Sequence, residues 1–248
     1  LSLILGAVYF AFQIYGDFSG YSDIALGTSK LFGIDLLKNF NYPYFSRDIA
    51  EFWRRWHISL SSWFRDYLYI PLGGSQGGMW MKVRNTFIIF LVSGFWHGAN
   101  WTFIIWGLLN AIYFLPLLLQ NKNRSNMGDI EMGWNFNSVK TILNILGTFA
   151  LTTIAWIFFR AKSISEAIGY IQKMVTDFHF DSQYLSNERY NFELLLLVLI
   201  FVLVEWFNRS KVEPLSGKAS WIKVTLAIMA LLALGVYSDY KEFIYFQF

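Results

Sequence analysis

The residue types that could do chemistry in this chain centre on two histidines, His57 and His97. About ten largely apolar residues flank His97 on either side, and this context predicts a position near the middle of a bilayer. An ionisable side chain at that depth is by default a functional-site hypothesis. Imidazole suits the removal of a proton from a hydroxyl group, because it titrates near neutrality and can accept the proton and then return it.

The neighbours of His97 allow two interpretations. Ser93 and Asn100 lie four residues before it and three residues after it, so on one helix they would share its face and could fix its tautomer or polarise a carbonyl group. Alternatively, His97 ties two helices together by a hydrogen bond, with Gly94 and Gly98 as a small-residue packing face. The residues alone leave both interpretations open.

The other two histidines have different surroundings. His57 lies at the edge of an aromatic helical face, between Trp53 and Leu60. It could reach a cavity beside His97, although an interfacial histidine with no further role is the simpler interpretation. His179 lies in a polar stretch, where we expect it to be solvated.

Two carboxylates, Asp17 and Asp23, lie in a polar block at residues 16–23 that follows an apolar run. At membrane depth they would be costly unless they face the protein interior or a wet cavity. Asp17 and Tyr21 are spaced to share one helical face, so this block could line a polar cavity. Carboxylates that cap helices or bond between them are an equally weighted alternative.

Several other chemistries lack their residues. The chain has no cysteine, which excludes thiolate nucleophiles and cysteine-ligated metals, and its three histidines show no H-E-x-x-H spacing, so we expect no protein-bound metal. The segment from Gly16 to Gly20, which contains Ser19, does not match the G-x-S-x-G nucleophile turn of serine hydrolases. The net charge of +3 and the absence of a polar basic run interleaved with aromatics disfavour a nucleic-acid partner.

The elements that must position these residues are helices in a membrane. The 248 residues are 55% hydrophobic and only 15% charged, and several apolar runs approach the roughly 20 residues that cross a bilayer. We therefore expect an all-α, polytopic transmembrane protein whose residues 1–248 form a single domain. Further spans are predicted at 139–159, 192–207 and 219–237, and residues 86–119 as two segments meeting near Gly98. The intervening stretches, including 160–191, are expected to be loops.

Residues 30–84 differ in composition from the rest, with eight basic and four acidic side chains and no run apolar enough to span. Aromatic and aliphatic residues between Ile49 and Tyr67 recur at the spacing of one helical face, while Arg54, Arg65 and Asp66 fall opposite. This pattern predicts an amphipathic helix lying in the membrane interface or forming a re-entrant wall. The excess of positive charge indicates the cytoplasmic side.

Taken together, the longer motifs resemble the membrane-bound O-acyltransferase (MBOAT) family, and within it the bacterial branch that O-acetylates alginate. The resemblance is strongest over residues 13–107, and the end of the chain at 243–248 is similar as well. It rests on several motifs that occur in order, at residues 13–15, 17–23, 31–36, 39–44, 49–61, 65–74 and 93–99.

The resemblance implies an acyl-transfer step inside the bacterial inner membrane, with a catalytic histidine at His97 and a second important histidine at His57. It also implies a buried tunnel open to both membrane faces, so that an acyl donor such as acetyl-CoA meets a polysaccharide acceptor, usually with periplasmic partner proteins. No tightly bound cofactor is implied. Family members carry further transmembrane helices before the Asp17 motif, so we expect this chain to be the C-terminal part of the fold.

The predicted mechanism has His97 as the general base on an acceptor hydroxyl, assisted by His57. Side chains expected to bind substrate or to stabilise the carbonyl oxygen are Asp17, Ser19, Asp23, Arg65, Asp66, Ser93 and Asn100. The rival function is a non-enzymatic transporter or scaffold of an envelope polysaccharide complex, in which Asp17, Asp23 and His97 form a proton or substrate pathway. Catalysis requires His57 and His97 to line one cavity, so geometry bears on this choice.

Overall fold

A computed structural model of the chain describes residues 1–128, 130, 136–177, 191–211, 217 and 220–235. All regular structure among these residues is helical, which confirms the predicted all-α class. His179 and residues 243–248 lie outside the described residues. The helices are α1 (Ser2–Leu31), α2 (Ile49–Arg55), α3 (Ile58–Phe64), α4 (Gly78–His97), α5 (Trp101–Leu119), α6 (Phe136–Arg160), α7 (Ile164–Thr176), α8 (Asn191–Asn208) and α9 (Ser220–Leu234).

Two of the described helices, Trp101–Leu119 and Ser138–Arg160, are long and apolar enough to cross a membrane. They are α5 and most of α6, and they pack against each other. Shorter apolar stretches form α8 and α9, in the places predicted from the sequence.

Helix α1 is continuous through the polar block that the sequence left ambiguous. Phe10, Ile14 and Tyr15 recur at helical spacing and are almost fully buried against the rest of the protein. Their packing offsets the roughly 1 kcal/mol that each glycine costs in a helix interior. The chain then runs through a short 3₁₀ turn, Pro43–Phe45, into α2.

The predicted interfacial helix is divided into shorter elements. Trp56 adopts an extended conformation and His57 a left-handed one with φ of 44°, so α2 ends at Arg55 and α3 begins at Ile58. A π-helical turn, Arg65–Tyr69, follows α3. The aromatic residues of α2 and α3 both recur at helical spacing, which is why the sequence pattern alone predicts one continuous helix.

Residues 86–119 form a hairpin, as predicted, with α4 and α5 joined by a turn after His97. The two helices approach closely because Gly94 lies against the backbone of Phe103 and Gly107 lies against the backbone of Phe90. A side chain at either glycine would overlap the facing backbone.

The stretch 160–191 contains a helix that the prediction of a loop missed. Helix α7 starts at a capping box, in which the Ser163 side chain accepts a hydrogen bond from the Glu166 amide and the Glu166 side chain accepts one from the Lys162 amide. Its Tyr170 hydroxyl donates to the carbonyl of Leu3, which fixes α7 against α1. The loop prediction for this part of the chain is therefore wrong.

Candidate active site

One cavity of about 700 Å³ lies between α2, α3, α4 and the residues that follow α5. Both histidines singled out from the sequence line it, although forty residues separate them in the chain. The condition that geometry sets for a two-histidine site is therefore met. The cavity wall beside the histidines includes Trp53, Trp56, Ser93 and Phe90.

The imidazole of His97 is held by aromatic rings from two other helices. Its ring centroid lies 5.1 Å from that of Trp106 on α5 and 5.0 Å from that of Phe159 on α6, both edge to face. Trp106 and Phe159 are almost fully buried, so their positions are fixed by the core. Because α4 ends at His97, this side chain sits at the end of the hairpin rather than in the middle of a straight helix.

His57 reaches the same cavity from the break between α2 and α3. The edge of its ring packs against Phe18 of α1, with centroids 4.6 Å apart, and the Ser59 hydroxyl lies 3.4 Å from its Nδ1. His57 lies outside the two helices that could cross a membrane, and burial lowers its pKa to about 4. The imidazole is therefore neutral near pH 7 and can accept a hydrogen bond.

Basic side chains also line this cavity. Arg54, Arg65, Lys82 and Arg124 line it, whereas none of its described lining residues is acidic. Lys82 and His97 lie on the same helix about four turns apart, which corresponds to roughly 22 Å along the axis. The arrangement suits an elongated ligand that carries negative charge at one end.

Two sets of hydrogen bonds hold the walls of this cavity in place. Arg54 donates to the carbonyls of Asn123 (2.8 Å) and Asn126 (3.0 Å) and so holds the segment after α5 as one wall. Asn85 is fully buried and donates to the carbonyls of Leu72 (3.2 Å) and Gly74 (3.0 Å), which holds the glycine turn before α4. The hydrogen bonds of Arg54 and Asn85 therefore fix both walls before any ligand binds.

Five of the predicted substrate-binding residues do not line this cavity: Asp17, Ser19, Asp23, Asp66 and Asn100. Asp66 instead accepts two hydrogen bonds from Arg65, which lower the pKa of Asp66. The helical face predicted to join Asn100 to His97 is wrong, because α4 ends before Asn100. This residue caps α5 through the Thr102 amide and donates to the Lys162 carbonyl (3.1 Å), so it secures the hairpin turn. The substrate-binding roles of all five residues stay predictions.

Sequence reasoning missed the roles of Lys82, Arg124 and Asn85. The surplus of basic residues over 30–84 was a signal for Lys82, but charge counting cannot tell a cavity wall from a solvated surface. Arg124 and Asn85 carried no signal at all. Within the described part of the chain, no group of three or more histidine, aspartate or glutamate side chains could hold a metal ion.

The sequence model of MBOAT, the membrane-bound O-acyltransferase family, matches residues 2–155. The chain belongs to this family. Its MBOAT relatives include the probable alginate O-acetylase AlgI of Pseudomonas aeruginosa, which is 40% identical over 224 residues, covering 87% of this chain and 40% of that protein. The peptidoglycan O-acetyltransferase of Helicobacter pylori is 38% identical over 261 residues, covering 96% of this chain and 48% of that protein.

A further MBOAT relative has a third named activity. The teichoic acid D-alanyltransferase of Streptococcus thermophilus is 43% identical over 116 residues, covering 44% of this chain and 28% of that protein. The chain spans less than half the length of each of these three relatives. Family membership identifies it as a membrane protein and confirms the resemblance stated from its motifs.

Proposed function

We propose that the protein to which this chain belongs is an O-acyltransferase of the bacterial inner membrane, multi-pass, that moves acetyl groups from a cytoplasmic donor to hydroxyls of an exported polysaccharide such as alginate. The observation that carries this proposal is the shared cavity of His57 and His97, which four basic side chains also line. The relatives named for O-acetylation and D-alanylation support acyl transfer as the reaction class.

The donor end follows from charge. Lys82 and Arg124 line the cavity, and a donor that carries phosphate groups, such as acetyl-CoA, would be attracted to them. Its flexible arm would then extend along α4 and bring the thioester to the histidines. In this proposal the donor is a co-substrate and is not retained between turnovers.

The chemistry at the histidines is the transfer of an acetyl group from the sulfur of the donor to the oxygen of the acceptor. His97 accepts the proton of the acceptor hydroxyl as that oxygen attacks the thioester carbon. The tetrahedral intermediate then collapses, an ester forms, the carbon–sulfur bond breaks, and the leaving thiolate takes the proton from His97. Ser93, one turn before His97 and 5% exposed, is placed to donate to the developing oxyanion.

The acceptor is proposed to approach the histidines from the side opposite Lys82 and Arg124. The named relatives act on alginate, peptidoglycan and teichoic acid, so the shared chemistry is a hydroxyl-bearing polymer of the cell envelope. Delivery of such a polymer is expected to involve periplasmic partner proteins. A surrounding core of buried aromatic side chains keeps the reaction away from bulk water and so limits hydrolysis of the donor.

The test is His97→Ala in the full-length protein, with the O-acetyl content of each envelope polymer measured after growth. We expect acetylation of one polymer to be lost while the protein still reaches the membrane at its usual level. His179→Ala is the matched control, because it makes the same chemical change in a stretch predicted to be solvated. Unchanged acetylation in the His97 variant would reject the assignment.

A further inference from the structure

The strained conformation of His57 is held in place by the segment of Asn39 and Asn41, which precedes α2 in the chain. A left-handed backbone is unfavourable for a side chain larger than glycine, and such strain persists only where the surroundings enforce it. The Asn39 carbonyl accepts a hydrogen bond from the Ile58 amide (3.0 Å), and the Asn41 amide donates to the Arg55 carbonyl (3.0 Å). These two bonds bracket the break and fix the direction in which the imidazole leaves the backbone.

The orientation of the Asn39 side chain follows from its partners. Its Oδ1 lies 3.2 Å from the Ser59 backbone nitrogen, which can only donate. The amide oxygen must therefore face Ser59, and the amide nitrogen faces the Ser22 hydroxyl of α1 at 3.4 Å. This removes the usual ambiguity between the oxygen and nitrogen of an asparagine side chain.

With Asn39 oriented, the role of the Ser59 hydroxyl is fixed as well. The hydroxyl lies 2.6 Å from Asn39 Oδ1, an atom that has no hydrogen, so the single hydroxyl proton points toward Asn39. The Ser59 oxygen can then only accept from His57 Nδ1, which lies 3.4 Å away. The proton of a neutral His57 is placed on Nδ1, and the lone pair is placed on Nε2.

We propose that Asn39 and Ser59 are positioning residues that hold His57 in its Nδ1-protonated tautomer, so that Nε2 faces the reaction as a hydrogen-bond acceptor. This inference rests on the proposed function for its catalytic meaning, whereas the tautomer itself does not. Neither residue lines the cavity, so both act through His57. The role matches that of partners that orient a histidine from behind and set which ring nitrogen is basic.

The consequence for transfer is that His57 cannot donate a proton from Nε2 in its neutral state. It can instead accept a hydrogen bond, either from the incoming acceptor hydroxyl or from the N–H that His97 carries after it has taken the proton of that hydroxyl. His57 is thereby assigned to orienting the nucleophile, and stabilisation of the oxyanion is left to other donors. The neutral state is the relevant one because His57 is largely buried among aromatic rings.

The tautomer is tested by nitrogen NMR of the full-length protein labelled at histidine, with the His57 signals assigned by their loss in His57→Gln. We expect a protonated Nδ1 and an unprotonated Nε2 in the parent protein. Ser59→Ala should shift the population toward the Nε2-protonated form, Ser59→Thr should restore the parent signals, and Ser62→Ala should leave them unchanged. Ser62 is the matched control, since its hydroxyl bonds only the Ser59 carbonyl and not the Asn39–His57 chain. A protonated Nε2 in the parent, or no shift in Ser59→Ala, would overturn the proposal.

Acetyl transfer by the same variants gives a second, separable result. Partners that orient metal-ligating histidines are worth about 10-fold to 100-fold in activity, and we expect an effect of similar size here. Ser59→Ala should therefore reduce kcat at unchanged donor KM, with recovery in Ser59→Thr. If the tautomer shifts but neither Ser59→Ala nor His97→Ala changes transfer, the positioning chain stands and the proposed function fails. If His97→Ala abolishes transfer while Ser59→Ala leaves both tautomer and kcat unchanged, the reverse holds.

Discussion

Gly94 of α4 lies directly against the carbonyl group of Phe103 in α5, at a distance that leaves no room for a β-carbon. This contact is one helical turn from His97, so it sets how the end of the hairpin that carries His97 is held. Asn100 then ties the turn to the Lys162 carbonyl at the junction of α6 and α7. The position of the His97 imidazole therefore depends on how α4 packs against α5.

The first prediction concerns Gly94→Ala. The added methyl group forces two backbones apart, and overpacking of this kind costs about 1–3 kcal/mol. We expect a lower midpoint of thermal unfolding in detergent and reduced acetyl transfer. Gly147→Ala on α6 is the matched control, since nothing lies within 4 Å of its β-carbon position. A Gly94 variant as stable as the Gly147 variant would contradict the close approach.

The second prediction concerns Glu51, which is 1% exposed and accepts hydrogen bonds from both Arg47 (2.9 Å) and Arg55 (2.9 Å). Glu51→Gln leaves these arginines without their counter-charge, and breaking a buried ion pair costs about 3–5 kcal/mol. The midpoint of thermal unfolding should fall accordingly.

The exposed pair of Arg65 and Asp66 supplies the comparison for Glu51. Both side chains are roughly half exposed, so Asp66→Asn should leave the unfolding midpoint unchanged. Equal destabilisation by the two substitutions would show that burial does not distinguish the pairs.

The third prediction concerns the positive charge of Lys82 and Arg124 in the cavity wall. Replacing Lys82 and Arg124 together by glutamine should raise the KM for acetyl-CoA by about 10-fold or more. Because the attraction is electrostatic, high salt should bring the KM values of the variant and the parent protein closer together. We expect kcat to change little. Lys122→Gln is the control, as it removes a charge from the same segment without lining the cavity. An unchanged KM in the double variant would argue against donor entry at this end.

The fourth prediction concerns the wall that Arg54 holds. Lysine in its place keeps the charge but loses the fork that reaches two carbonyls, so the segment 121–127 should loosen. Hydrogen exchange of that segment should rise and donor KM should increase several-fold, with kcat nearly preserved. Faster hydrogen exchange without any change in the donor KM would show that the segment 121–127 has no role in donor binding.

The sequence predicted the parts of this fold that depend on local pattern. The apolar runs that became α5, α6, α8 and α9, and the turn near Gly98, were all anticipated, because length and hydropathy suffice to find them. Helix α7 was missed although its capping box at Ser163 and Glu166 is a local signal. Its mixed polarity is typical of a loop, and its packing on α1 and α6 cannot be predicted from the local sequence.

The site was predictable only as far as residue type allowed. Histidines in an apolar chain are conspicuous, so His57 and His97 were found, and the structure brings them to one cavity. The break at His57 could not be found, because it depends on Asn39 from a segment separated by the whole of α2. Asn100 was assigned to the wrong helical face, since the point at which α4 ends is set by the contacts of the hairpin turn.

Helix α4 has the properties of a ruler. Lys82 lies near one end of this helix and His97 at the other, and two glycines hold the helix close against α5. A donor can engage both ends only if its anionic group and its acyl carbon are a comparable distance apart. Short activated acyl compounds such as acetyl phosphate, whose charge lies beside the reactive carbon, would then be rejected by length before any chemistry begins.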